Sequence, residues 1–203
     1  MSGGLIFEPK NLKIRSNGSN DTKHSRRLMP SAALSCLLLC PILLGGCNTI
    51  DSDRIPNYAV NINLTPQASW QTYGVTYFGQ YKRFVRELRE PSNFPWLERT
   101  MTGFGGVLLV CGIDAFTNDA NVPLAYDLAC PVECRRDVRV NMVEAEGHPF
   151  PVAQCPVCKS EYDVFEAGGR PISGKAVAEG YGLRIYYCVP PANGMGGYIV
   201  TNQ

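Results

Sequence analysis

The chain predicts an all-β domain, a small sandwich or barrel, with a short helical or irregular insertion. Three observations point there. Short apolar or alternating runs recur about every 8–12 residues from residue 58 onward, the spacing of strands in such folds. Glycine and proline, 20 and 15 of the 203 residues, divide these runs at turns. The most continuous apolar stretch of this region, residues 105–113, has the length of a strand rather than of a helix.

The elements follow in chain order. NTIDSDRIPN (48–57) is polar and reads as a tether. YAVNINL (58–64) alternates apolar and polar residues, as a half-buried strand does, and Pro66 ends it. In SWQTYGVTYFGQYKRFVREL (69–88), Tyr81, Phe84, Val85 and Leu88 fall at helical spacing, with Lys82, Arg83, Arg86 and Glu87 between them. A short amphipathic helix or an ordered insertion is expected there, closed by Pro91. EPSNFPWLERTMTGFG (90–105) is a loop with aromatic anchors. Tyr73, Tyr77, Phe78, Tyr81, Phe84, Phe94 and Trp96 cluster in this insertion and suit a satellite core or a partner-binding patch. GGVLLVCGI (105–113) is a buried strand, NDANVP (118–123) a turn, and LAYDLA (124–129) a further strand. VRVNMV (138–143), FPVAQC (150–155), EYDVF (161–165), RPISG (170–174), GLRIYYCV (182–189) and GYIVTN (197–202) complete the set. No internal repeat or second domain is apparent, so residues 58–203 read as one domain.

The charge is divided unevenly. The formal net charge of +1 combines a basic N-terminal segment with a mildly acidic remainder. Lys10, Lys13, Arg15, Lys23, Arg26 and Arg27 all precede residue 47, against Glu8 and Asp21. The folded part therefore lacks the basic face that nucleic-acid binding uses, and no nucleic-acid partner is expected. The basic segment leads into HSRRLMPSAALSCLLLCPILLGGCN. Arg26-Arg27 is followed by an apolar run from Ala32 to Leu44, then Gly45-Gly46 and Cys47. A run of that length is too short to span a bilayer and fits the core of a signal peptide. Its ending, LLGGC, is similar to the lipobox of bacterial lipoproteins, in which the cysteine is lipidated and becomes the first mature residue. The resemblance implies that residues 1–46 are removed as leader and signal peptide. It also implies a covalent lipid on Cys47 and a protein held on the exported side of a membrane in the bacterial cell envelope. More than one acyl chain is needed for stable anchoring. Export also permits disulfides.

Of nine cysteines, Cys36 and Cys40 lie in the signal core and Cys47 is the lipid site. Four of the remaining six form a pattern: Cys130 and Cys134 in CPVEC, Cys155 and Cys158 in CPVC. Each pair sits at a strand end, so two loops can converge and offer four sulfurs. Zinc or iron suits such soft ligation. Disulfides between or within the loops, and reactive thiols flanked by Arg135, Arg136 and Lys159, use the same residues, and spacing alone does not separate the three. Cys111 and Cys188 lie on apolar strands, as small buried side chains or as a disulfide if those strands are neighbours.

Around these loops the chain resembles a Rieske [2Fe–2S] domain over residues 104–188. Ala125-Tyr126-Asp127 leads to Cys130-Pro131, where the family has its first cluster loop. Cys155-Pro156 leads to Ser160, where it has its second. Tyr162-Asp163, Gly168-Gly169 and Ser173-Gly174-Lys175-Ala176 continue the order. The resemblance implies a small β fold carrying a two-loop metal subdomain, with electron transfer as the family's activity. It departs at the ligands. The family's histidines would stand at Val132 and Cys158, and the chain's only histidines are His24 and His148. A Rieske centre needs two on one iron, so that centre is excluded. Cys134 falls one residue short of the family's additional loop cysteine. The expected centre is instead zinc or a cysteine-ligated iron or [2Fe–2S] group on Cys130, Cys134, Cys155 and Cys158. The alternative is a non-redox envelope interaction or structural module in which these cysteines form disulfides. An envelope protein partner is compatible with either. His148 and the Glu144/Glu146 pair read as exposed loop residues. No nucleophile motif or phosphate-binding loop is present, so no enzymatic constellation is apparent.

Overall fold

The computed structural model describes residues 49–203. The leader, the signal sequence and Cys47 lie outside the described residues.

The fold is mostly β, in two antiparallel sheets, with little helix. The elements are β1 (Val60–Leu64), α1 (Gln67–Tyr73), β2 (Tyr81–Phe84), β3 (Met101–Thr102), β4 (Val107–Ile113), β5 (Ala120–Asp127), β6 (Asn141–Val143), β7 (Val152–Gln154), β8 (Glu161–Asp163), β9 (Arg170–Ser173), α2 (Lys175–Glu179), β10 (Ile185–Val189) and β11 (Tyr198–Thr201). Seven strands in the order β2-β4-β5-β10-β11-β1-β3 make a nearly closed barrel. The other four, β6-β7-β8-β9, form a small meander that carries the second cysteine loop.

The continuous apolar run of β4 has a physical reason. Val107, Leu109 and Cys111 face the barrel interior with Ile62, Leu64, Phe84 and Val200. Leu108 and Val110 face the other way, toward Tyr126, Leu128, Cys130, Cys155 and Tyr162. Both faces of β4 are covered, so neither can be polar. The second of these cores joins the barrel wall to the meander, and the cysteine loops grow out of it.

Four segments differ from the reading of the sequence. Residues 81–88 are not helical: Tyr81–Phe84 pairs with β4, from Tyr81 opposite Val110 to Phe84 opposite Val107. Phe84 and Val85 point into opposite cores, which an extended chain requires and a helix forbids. Leu88 rides exposed on the following turn. The helix lies upstream, at residues 67–73, where Trp70 is buried. β5 begins at Ala120, inside the stretch read as a turn. The five-residue α2 follows β9 directly. Finally, the described part of the polar N-terminal stretch is docked rather than loose. Asp51 exchanges backbone hydrogen bonds with Gly180 and Gly182, and Ile55 is fully buried. The Arg184 guanidinium donates to the Ile55 carbonyl at 2.6 Å. Among the described residues no helix is long and apolar enough to cross a membrane.

Candidate metal centre

β5 ends at Asp127, and the first cysteine loop starts three residues later. Asp127 fixes that start. Its buried carboxylate accepts the Tyr186 hydroxyl at 2.6 Å, Ala129 N–H at 2.7 Å, Phe104 N–H at 2.9 Å and Gly105 N–H at 3.0 Å. Burial pushes its pKa up, against these four donors, each of which favours the charged form. The network pins β5 to β10 and to the glycine-rich turn at 103–106. A side chain at Gly103, where φ is +73°, would collide with the Tyr186 hydroxyl.

Each loop is closed by a backbone hydrogen bond at its mouth. Cys130 N–H donates to Val138 at 3.0 Å, and Cys155 N–H donates to Ser160 at 2.9 Å. The second loop is the connection of the β7–β8 hairpin, in which Gln154 pairs with Glu161. Cys130 and Cys155 are wholly buried and Cys158 is half-buried.

The structure brings Cys130, Cys155 and Cys158 together, with all three sulfurs within 4.8 Å of one another. Cys130 Sγ and Cys158 Sγ are 3.6 Å apart. The edge of a tetrahedron with zinc–sulfur bonds of about 2.3 Å is roughly 3.8 Å, so this spacing suits two ligands of one ion. Cys134 is not brought in: its thiol reaches the Arg54 carbonyl at 3.8 Å instead. None of the six described cysteines is in a disulfide. β5 lies between β4 and β10, which puts Cys111 and Cys188 two strands apart. Two strand spacings are about 9.6 Å, beyond disulfide reach.

Two hydroxyls support the cluster from below. Tyr162 Oη lies 3.6 Å from Cys130 Sγ, and Ser160 Oγ lies 3.3 Å from Cys158 Sγ. Both residues are fully buried. Ser160 Oγ also accepts the Ala176 N–H at 3.0 Å, which ties α2 to the loop. Strand alternation links only Ser160 and Tyr162, two residues apart; Cys158 sits on the turn before β8, so no sequence signal tied these hydroxyls to it. The thiols are not equivalent. Burial pushes Cys130 up to about 12, although the Glu133 N–H and the Tyr162 hydroxyl pull the other way. Burial also opposes ionisation of Cys158, but hydrogen bonds from Ser160, Cys155 and Cys130 outweigh it and lower its pKa. The basic neighbours are engaged elsewhere: Arg135 pairs with Asp137 at 2.6 Å, and Arg136 lies 4.5 Å over the Tyr58 ring. His148, Glu144 and Glu146 are exposed on the β6–β7 turn.

No family model, curated protein or solved structure matches this chain.

Proposed function

We propose that this is an exported, lipid-anchored envelope protein whose Rieske-like β domain holds one metal centre on Cys130, Cys155 and Cys158. The convergence of three sulfurs from two loops carries the reading. Three thiolates are a soft donor set, which favours zinc or iron over calcium or magnesium. Two of the sulfurs are buried in the core that joins the meander to the barrel, so a bound ion ties the loops together where the two sheets meet. Such a site contributes to folding directly. Zinc makes the domain a structural or interaction module in the envelope, and iron makes it an electron carrier. The LLGGC sequence supports lipidation of Cys47.

Elemental analysis of anaerobically purified protein tests the metal, and its absorption spectrum separates iron from zinc. One equivalent of metal per chain with six reduced thiols in the mature domain is the expected result. A second reading is favoured by one distance: with Cys130 and Cys158 sulfurs 3.6 Å apart, this pair is the one placed to close a disulfide across the loops. Metal-free protein with that cross-link in a non-reduced peptide map establishes the disulfide reading instead. Lipidation is tested by the mass of the mature N-terminal peptide, which loses its acyl chains in Cys47→Ser.

A further inference from the structure

The two cysteine loops are built alike, residue by residue. Both begin Cys-Pro-Val. In each, the first cysteine donates its N–H across the mouth, to Val138 or to Ser160. In each, its carbonyl accepts the N–H of the fifth residue, from Cys134 at 2.8 Å and from Lys159 at 3.1 Å. In each, that fifth residue takes a left-handed backbone, with φ 49° at Cys134 and 60° at Lys159. Non-glycine residues rarely adopt this conformation, so its recurrence marks one turn used twice.

The alignment changes the role of the C-x3-C spacing. In the second loop the fourth residue, Cys158, delivers a sulfur to the cluster, and the fifth, Lys159, is exposed. In the first loop the fourth residue is Glu133. Cys134 occupies the fifth place, and its thiol is bonded to the Arg54 carbonyl. The Glu133 backbone N–H favours the ionised form of Cys130, which keeps this part of the loop beside the cluster. Resting on the metal-binding reading above, we propose that the fourth ligand of the centre is the carboxylate of Glu133 and that Cys134 is not a ligand. The Glu133 carboxylate stands outside the circle of the three sulfurs. Glu133 holds the place from which Cys158 delivers its sulfur in the other loop. Cys134 stands in the place of Lys159, which in the second loop is exposed and outside the cluster. A donor set of three thiolates and one carboxylate suits a single tetrahedral zinc-type ion, whereas the common iron–sulfur clusters are held by four cysteines.

Cobalt(II) is the probe, because its thiolate charge-transfer intensity counts sulfur ligands and its ligand-field bands report tetrahedral geometry. The full chain in detergent, reduced and free of oxygen, is titrated with Co(II) and then with competing Zn(II). Wild type is expected to show three-thiolate intensity, and Cys134→Ser to match it in spectrum and affinity. Glu133→Gln is expected to bind more weakly by roughly tenfold or more, at least what loss of a supporting group costs. Glu133→Cys is expected to add a fourth thiolate to the spectrum, a gain that a folding defect does not produce. Lowered charge-transfer intensity in Cys134→Ser, with Glu133→Gln unchanged, makes Cys134 the ligand and overturns the proposal. If both variants bind like wild type, solvent holds the fourth position; the proposal fails and the three-cysteine reading stands. If wild type takes up neither ion, that reading fails as well.

Discussion

Cys130 shows how a single residue joins fold and chemistry. Its sulfur is part of the hydrophobic core and also part of the cluster, 3.6 Å from both Cys158 Sγ and the Tyr162 hydroxyl. Burial pushes its thiol further up, to about 12, from a value at which it is already protonated at neutral pH. A metal ion must displace that proton, so affinity is expected to rise with pH, by up to roughly tenfold per unit for each proton released. Competition titrations with Zn(II) at about pH 6, 7 and 8 check this; a flat profile would mean that the thiols are not the ligands. Tyr162→Phe removes a donor to the same sulfur and is expected to weaken binding by roughly tenfold. A change within twofold would show that this hydroxyl is only packing. The three convergent cysteines were legible from their spacing, because a Cys-Pro-Val start at a strand end repeats in the chain. Cys134 was not separable from them, since spacing carries no information on which residue takes the left-handed turn.

At the level of elements, what reads well in the sequence is what burial dictates. β4 is apolar throughout because two cores claim its two faces; its end at 113 was evident, while its start falls two residues later than the 105 expected. β2 misleads because Phe84 and Val85 are adjacent, both buried, and on opposite sides. With Tyr81 and Leu88 added, this imitates a helical stripe although Leu88 belongs to a turn. α2 has five residues, no side-chain cap and no acidic residue in its first turn, so the sequence carries no start signal. The element joints carry the stability predictions. Asp127 holds four donors, and Asn at that place offers an amide N–H₂ to groups that are themselves donors. Asp127→Asn is expected to cost about 3 kcal/mol in urea unfolding, the scale of unpaired buried hydrogen-bonding groups. A loss below about 1 kcal/mol would show that the network is not holding β5 to β10. Gly174 has φ +75° and sits against Ser160, whose Cα lies 2.8 Å from where a Cβ would be. Gly174→Ala is expected to destabilise the domain by about 1–3 kcal/mol and to weaken metal binding with it, because Ser160 underlies Cys158. Unchanged metal affinity in a destabilised variant would separate α2 from the site.

Across the whole molecule, a barrel and a meander share one core, and the candidate centre lies where that core meets the surface. This layout explains why a site can be proposed without a deep cleft: the ligands come from strand ends that the core already holds. The docked N-terminal stretch matters at the same scale. Asp51 is fixed to the domain through Gly180 and Gly182. With a lipid on Cys47, four residues of chain permit at most about 14 Å between the anchor and that fixed point. On the proposed anchoring, the domain would ride close to the bilayer rather than on a long tether. The central claim concerns the three sulfurs, and one titration tests it most directly. Zn(II) is added to the reduced full chain and to Cys155→Ser, with a chromophoric chelator in competition. The account predicts one tight equivalent for wild type and loss of that equivalent in the variant. Equal binding by the two proteins, or none by wild type, would contradict it.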